Sequence, residues 1–232
     1  MKLTAHQIQN LYKFTRQHYV VYYDVQTELV DHLANNIENI WQEKPNLSFE
    51  EARDISFKKF GVFGFMDVIE EKQKAMNKKY LKILWGFVKE WFQLPKIMIT
   101  LGSIFILFQL FSSVIGAFSY YISWGIFFVF LLIKSLRLRK ITKNRFKETG
   151  KKWMLEDMIF MTTSANIPLM LSFLFNVHLY EEYITSQIGA ILFSVFFVIV
   201  FLVVHITLTV IPEKGEELLA ATYPEYKLAN SL

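Results

Sequence analysis

Ionised side chains nearly disappear from four long stretches in the second half of the chain, and this segregation limits the folds open to it more than any short motif does. In hydrocarbon a backbone must satisfy its own N–H and C=O groups, so about 20 consecutive apolar residues read as a helix able to cross a bilayer. Residues 95–118 open on Pro95, tolerated in a first helical turn, and hold no ionised group after Lys96. Residues 119–136 follow, with Lys134 free to snorkel at their end. Residues 153–175 carry Glu156 and Asp157 one turn in, and residues 187–211 are the most uniformly apolar of the four. The first two spans are expected to form a tight hairpin turned at residues 116–120. Hydrophobic residues make up 53% of the chain, with 23 Phe, more than one ordinary globular core needs, so lipid is implied as a second solvent.

Cationic residues set the expected orientation, because short basic loops are retained in the cytoplasm. Of the 25 Lys and Arg, 14 lie between Lys2 and Lys96, nine between Lys134 and Lys152, and two, Lys214 and Lys227, after the last span. None falls in the expected outer turns, and the second of these, 176–186, carries Glu181 and Glu182 instead. The expected fold is therefore all-α, a cytoplasmic helical domain followed by a four-helix transmembrane bundle with both termini in the cytoplasm. Its parts are a helical domain at 1–79, an interfacial amphipathic helix at 80–94, the four spans within 95–212, and a cytoplasmic tail at 213–232. The first residues show neither an apolar signal region nor a small-residue cleavage site, so no signal peptide is expected. The absence of cysteine excludes disulfides, thiolate metal sites and thiol nucleophiles.

Within 1–79 the apolar residues Tyr22, Val25, Leu29, Leu33, Ile37, Ile40 and Trp41 recur at helical spacing, with acids and amides on the other face. Ser48 and Glu51 have the spacing of a capping box, which starts a helix ending near Phe60 with Gly61 as its left-handed cap. Another helix is expected from about Phe65. Beyond Lys79 it takes on Tyr80, Trp85 and Trp91 with Lys82 and Lys89, the composition of a helix in the headgroup layer.

The order Glu28-Leu29-Val30-Asp31-His32-Leu33, Ile37-Glu38, Ser48-Phe49-Glu50-Glu51-Ala52, Phe60-Gly61 and Val68-Ile69-Glu70-Glu71 resembles the HAAS and permease-prefix domains of bacterial membrane proteins. The resemblance implies a cytoplasmic interaction or signalling module on a protein of the bacterial inner membrane, in some cases beside a transcription regulator or fused to an export permease. This chain has no large extracytoplasmic domain, a departure from the permease members.

Glu28, Asp31 and His32 form a candidate partner-facing patch. Glu28 and His32 alone, four residues apart, fall short of a metal site, and no metal or cofactor is expected. Glu156, Asp157, Asn166 and His205 form a candidate intramembrane polar cluster, in which His205 is expected to hydrogen-bond Asp157 or Glu156 with help from Thr207 and Thr209. A kink is expected at Pro168. The basic stretch 134–152 reads as a loop whose Arg137, Arg139, Lys140, Lys143 and Arg145 meet anionic headgroups. Nucleic acid is not an expected partner, because the cations are pinned beside a membrane without interleaved aromatics.

No Walker loop, zincin motif or nucleophile elbow is present, so the function expected is non-enzymatic: a membrane regulatory or interaction protein, in a membrane-stress or transcription-regulator circuit, whose helical domain docks a cytoplasmic protein. Self-association into an oligomer is left open. The alternative is a small transporter or an accessory subunit of an export permease, which would require a polar cavity around Asn166, Asp157 and His205.

Overall fold

The computed structural model describes residues 2–161 and 186–226, and among these all regular structure is helical. The chain divides into two compact units: residues 1–79 with 150–155, and residues 80–149 with 156–232. A short segment from the middle of the chain, 150–155, thus belongs to the first unit.

In the first unit, α1 (Ala5–Gln17), α2 (Tyr23–Glu43) and α3 (Phe49–Lys58) pack α1 on α2 and α2 on α3, and α4 (Met66–Trp91) begins there. The stripe read from the sequence is the buried face of α2: Val25, Leu29, Leu33, Ile37, Ile40 and Trp41 are all buried. Their spacing of three and four residues places them on one side of a 3.6-residue helix. The capping box forms as read. Ser48 N–H donates to Glu51 Oε2 at 2.9 Å, and Glu51 N–H donates to Ser48 Oγ at 3.3 Å. These bonds hold the exposed Glu51 carboxyl below its ordinary pKa. Phe14, His18, Phe57, Phe60 and Phe65 join the helices as a chain of ring contacts.

The second unit holds the second half of α4, then α5 (Lys96–Phe111), α6 (Gly116–Thr149), most of α7 (Met154–Met161), α8 (Gln187–His205) and α9 (Gly215–Thr222). A π-helical segment, Ile206–Val210, follows α8 and runs into a last turn, Ile211–Glu213. By length and apolar composition Gly116–Thr149 and Gln187–Glu213 are each able to cross a membrane, and the pair α4 and α5, bent by 82° at residues 92–95, makes a third if counted as one broken span. α5 packs against both α6 and α8. Residues 162–175 of the expected third span, with its kink at Pro168, and most of the acidic outer turn lie outside the described residues.

Three boundaries differ from the sequence reading. The helix expected from about Phe65 runs unbroken from Met66 into the interfacial stretch but ends at Trp91, short of the expected 94. The hairpin turns at residues 112–115 rather than 116–120, so α5 is shorter than expected. Ser112 and Ser113 hydroxyls donate to Phe108 O at 2.8 Å and Leu110 O at 2.6 Å, the local competition that ends helices and that hydropathy does not register. Most consequentially, the basic stretch is not a loop. α6 continues through it to Thr149, 34 residues or about 51 Å of helix against a hydrocarbon core of about 30 Å. Gly150, at φ 62°, ends it in a conformation that a side chain would strain.

Candidate functional site

The patch expected at Glu28, Asp31 and His32 lies on the outer face of α2, where Asp31 and His32 are exposed and Glu28 is partly so. Glu28 Oε2 meets Lys72 Nζ of α4 at 2.7 Å. With both side chains over a third exposed, that pair contributes below about 1 kcal/mol. Beside it runs a groove of about 440 Å³ lined by Glu28 and His32 of α2, Lys59 and Phe60 after α3, and Glu71 and Lys72 of α4. Charges of both signs beside an apolar ring suit a mixed-polarity protein segment better than a small apolar ligand. Among the described residues no three of His, Cys, Asp and Glu gather to hold a metal ion.

One turn toward the N-terminus of α2, the same helix clasps the segment 150–155. Tyr23 N–H donates to Lys152 O at 2.7 Å, and Asp24 Oδ1 accepts the Met154 N–H at 3.2 Å. Met154 is the first residue of α7, so a carboxylate 130 residues away in sequence serves as that helix's N-terminal cap. Tyr23 packs edge-on against Trp153 at 5.1 Å and stacks on Tyr12 at 6.0 Å. Lys151 lies over the Tyr23 ring at 4.4 Å and Lys152 over Tyr22 at 5.2 Å. Burial pushes the Tyr12 phenol up, which keeps it the neutral donor to Thr27 Oγ1 at 3.2 Å. Asp24, Glu28 and His32 follow one another at four-residue spacing, so clasp and patch share one face of α2. No periodicity in the sequence signals this contact.

In the second unit, among the described residues, His205 stands apart from Glu156 and Asp157 rather than joining them. Glu156, buried, lies 3.5 Å from Arg145 Nη1, and the same guanidinium donates to Tyr226 Oη at 2.9 Å and pairs with Glu216 of α9. The Phe160 ring lies 4.8 Å beneath it. Burial disfavours the cation, but Tyr226, Glu216 and Glu156 outweigh that and raise the Arg145 pKa further. Arg145 is thus committed within the protein, whereas Arg137, Arg139, Lys140 and Lys143 are exposed along α6. Four of the five expected lipid contacts remain open to an anionic surface.

His205 forms no hydrogen bond to Glu156 or Asp157. Its ring stands edge-on to Trp91 at 5.6 Å and stacks on Phe201 at 6.1 Å. It borders a largely apolar crevice of about 350 Å³ between α5 and α8, which Asp157 does not line. Thr207 donates to Val203 O in its own helical turn at 3.0 Å rather than across to another helix. Asn166 lies outside the described residues. The difference has a simple origin: position along each span sets depth in the membrane, but rotation about the helix axis decides which groups meet.

No family model matches the chain, and no match was found among the curated proteins or the solved structures.

Proposed function

We propose that the protein is a non-enzymatic regulatory or interaction protein of the bacterial inner membrane. Its N-terminal domain, of HAAS type, docks a cytoplasmic protein partner, and four spans with both termini in the cytoplasm anchor it. The basic residues support that topology, since every cation in the chain falls on the side it assigns to the cytoplasm. The 82° bend between α4 and α5 supports an α4 whose second half lies along the membrane surface when α5 enters the bilayer, with Lys89 over Trp85 and Lys96 over Trp91 at headgroup depth.

The observation that carries the reading is the shared face of α2. A partner seated on Glu28 and His32 sits one helical turn from Asp24, the cap of the helix that begins the expected third span. Any shift of α2 that accompanies docking changes how well that cap is made, so binding in water is coupled to a membrane helix through one carboxylate.

Affinity purification from native membranes tests the docking half. The full chain is expected to retain a protein that a chain lacking residues 1–94, or His32→Glu in the full chain, does not. A partner set unchanged by both alterations would overturn it. Hydrogen exchange tests the coupling half: Asp24→Ala is expected to speed exchange at the Met154 amide, while partner retention persists.

A further inference from the structure

The first unit hides its large apolar side chains with one localised exception. Among its described residues the exposed ones are Tyr19 (84%), Val21, Val62 (98%), Phe63 (72%) and Met66, with Ile55 barely so. All but Ile55 belong to the turn between α1 and α2 or to the segment joining α3 to α4, with Met66 the first residue of α4 itself. These two segments are neighbours in space, because His18, next to Tyr19, contacts the rings of Phe57 at 4.4 Å and Phe65 at 5.8 Å.

Both turns hold their apolar residues outward at a conformational cost. Tyr19 has φ 63°, the left-handed conformation that costs a residue with a Cβ about 1–2 kcal/mol, and it closes α1 as glycine ordinarily would, with Val20 N–H donating back to Thr15 O at 3.1 Å. Its ring is not buried within the unit in return. Val62 and Phe63 stand between Gly61 and Gly64, both at positive φ, and a Cβ on Gly64 would come within 3.0 Å of the Phe57 ring. The backbone is thus shaped to keep Val62 and Phe63 at the tip. Around it the last turns of α1 and α3 end in the cations Arg16 and Lys58, with Lys59 following, against two acids, Asp24 and Asp67, in the first turns of α2 and α4, of which Asp24 is engaged by the Met154 N–H.

We infer that these two turns form a membrane-contact tip, in which Tyr19, Val62 and Phe63 enter the headgroup layer of an anionic bilayer while Arg16, Lys58 and Lys59 meet its phosphates. Aromatic and aliphatic side chains ringed by cations are the chemistry of reversible insertion at such a surface. Among the described residues two to three helices are able to cross a membrane, and a chain they anchor has the lipid surface at high local concentration. A weak contact of a few side chains is enough to hold the domain there, independently of any partner on the α2 patch.

The absence of cysteine makes the test direct. Phe63→Cys in the full chain, labelled with an environment-sensitive fluorophore, is reconstituted into vesicles of phosphatidylcholine and phosphatidylglycerol containing brominated acyl chains. Glu50→Cys, on the exposed first turn of α3, is the reference. Quenching at position 63 is expected to exceed that at position 50 severalfold, to fall in phosphatidylcholine alone, and to fall with Arg16→Glu and Lys58→Glu together. Equal quenching at the two positions, or quenching at position 63 indifferent to lipid charge, overturns the inference. Protection of position 63 that appears in lipid-free detergent and grows with protein concentration also overturns it, in favour of contact between two copies of the chain.

Discussion

Helices α2 and α8 hide opposite things. α2 buries Leu29, Leu33 and Ile37 completely and turns acids and amides outward. α8 buries Gly189, Ala190 and Ser194 together with Val198, Leu202 and Val204, and turns Ile188, Leu192 and Ile199 outward, at 76%, 62% and 56% exposure. In water a large apolar side chain gains by leaving solvent, so it goes inside. Against hydrocarbon there is no such gain, and helices meet where small side chains let their backbones approach. Composition separates the two helices, since α8 holds no Asp, Glu, Lys or Arg, and the large apolar side chains that α8 leaves outward mark the same difference on its surface.

The largest effect expected from that contrast is at matched leucines. Leu33→Ala removes a fully buried side chain and is expected to destabilise the first unit by about 3 kcal/mol, read by denaturant unfolding of its tyrosine and tryptophan signals. Leu192→Ala in α8 is expected to cost less than about 1 kcal/mol in lipid, and a loss as large as that at Leu33 would place this face of α8 inside a protein interface. A second pair lies along α6. Arg145→Ala leaves Glu156 buried without its cation and is expected to cost about 2 kcal/mol in thermal unfolding of the full chain, whereas Lys140→Ala, on the exposed part of the same helix, is expected to change it by less than about 0.5 kcal/mol.

Tyr19→Gly reverses the sign. Relief of its left-handed backbone is expected to stabilise the first unit by about 1 kcal/mol while weakening the lipid quenching of a label at position 63. Stabilisation without loss of quenching would remove Tyr19 from the contact. The smallest effect is at the α3 cap. Because its hydrogen bonds to Ser48 lower the folded pKa of Glu51, they stabilise the helix above the ordinary carboxylate pKa of about 4.3, and that contribution fades as pH falls through the lower folded value. Glu51→Gln keeps the box and is expected to remove this part of the acid sensitivity in a pH titration of stability.

Local chemistry is legible in the order of the residues. The α2 stripe reads correctly from Val25 to Trp41 because burial and helical period are both local properties, and the Ser48–Glu51 box needs only four residues to be complete. The start of α4 follows for the same reason, whereas α3 ends at Lys58 with Lys59 as its cap, so Gly61, at φ 78°, serves the connecting segment rather than the helix end. What is not legible depends on residues far apart. Asp24 and Met154 make the α7 cap across 130 positions, and Arg145 meets Tyr226 across 81, neither leaving a repeating signal. The basic stretch after Lys134 misleads in a different way. Its charges mark where hydrocarbon ends, but Arg and Lys are also good helix formers, so the helix leaves the apolar region without breaking.

That unbroken helix has a mechanical side. A rod of 34 residues amplifies angles: a tilt of roughly 10° about one end carries the other through roughly 9 Å. α6 ends on Gly150, whose backbone tolerates rotations that other residues resist, so the rod terminates in a swivel. Along this helix, then, a rotation small at one end is a displacement wider than an α-helix backbone at the other, in either direction.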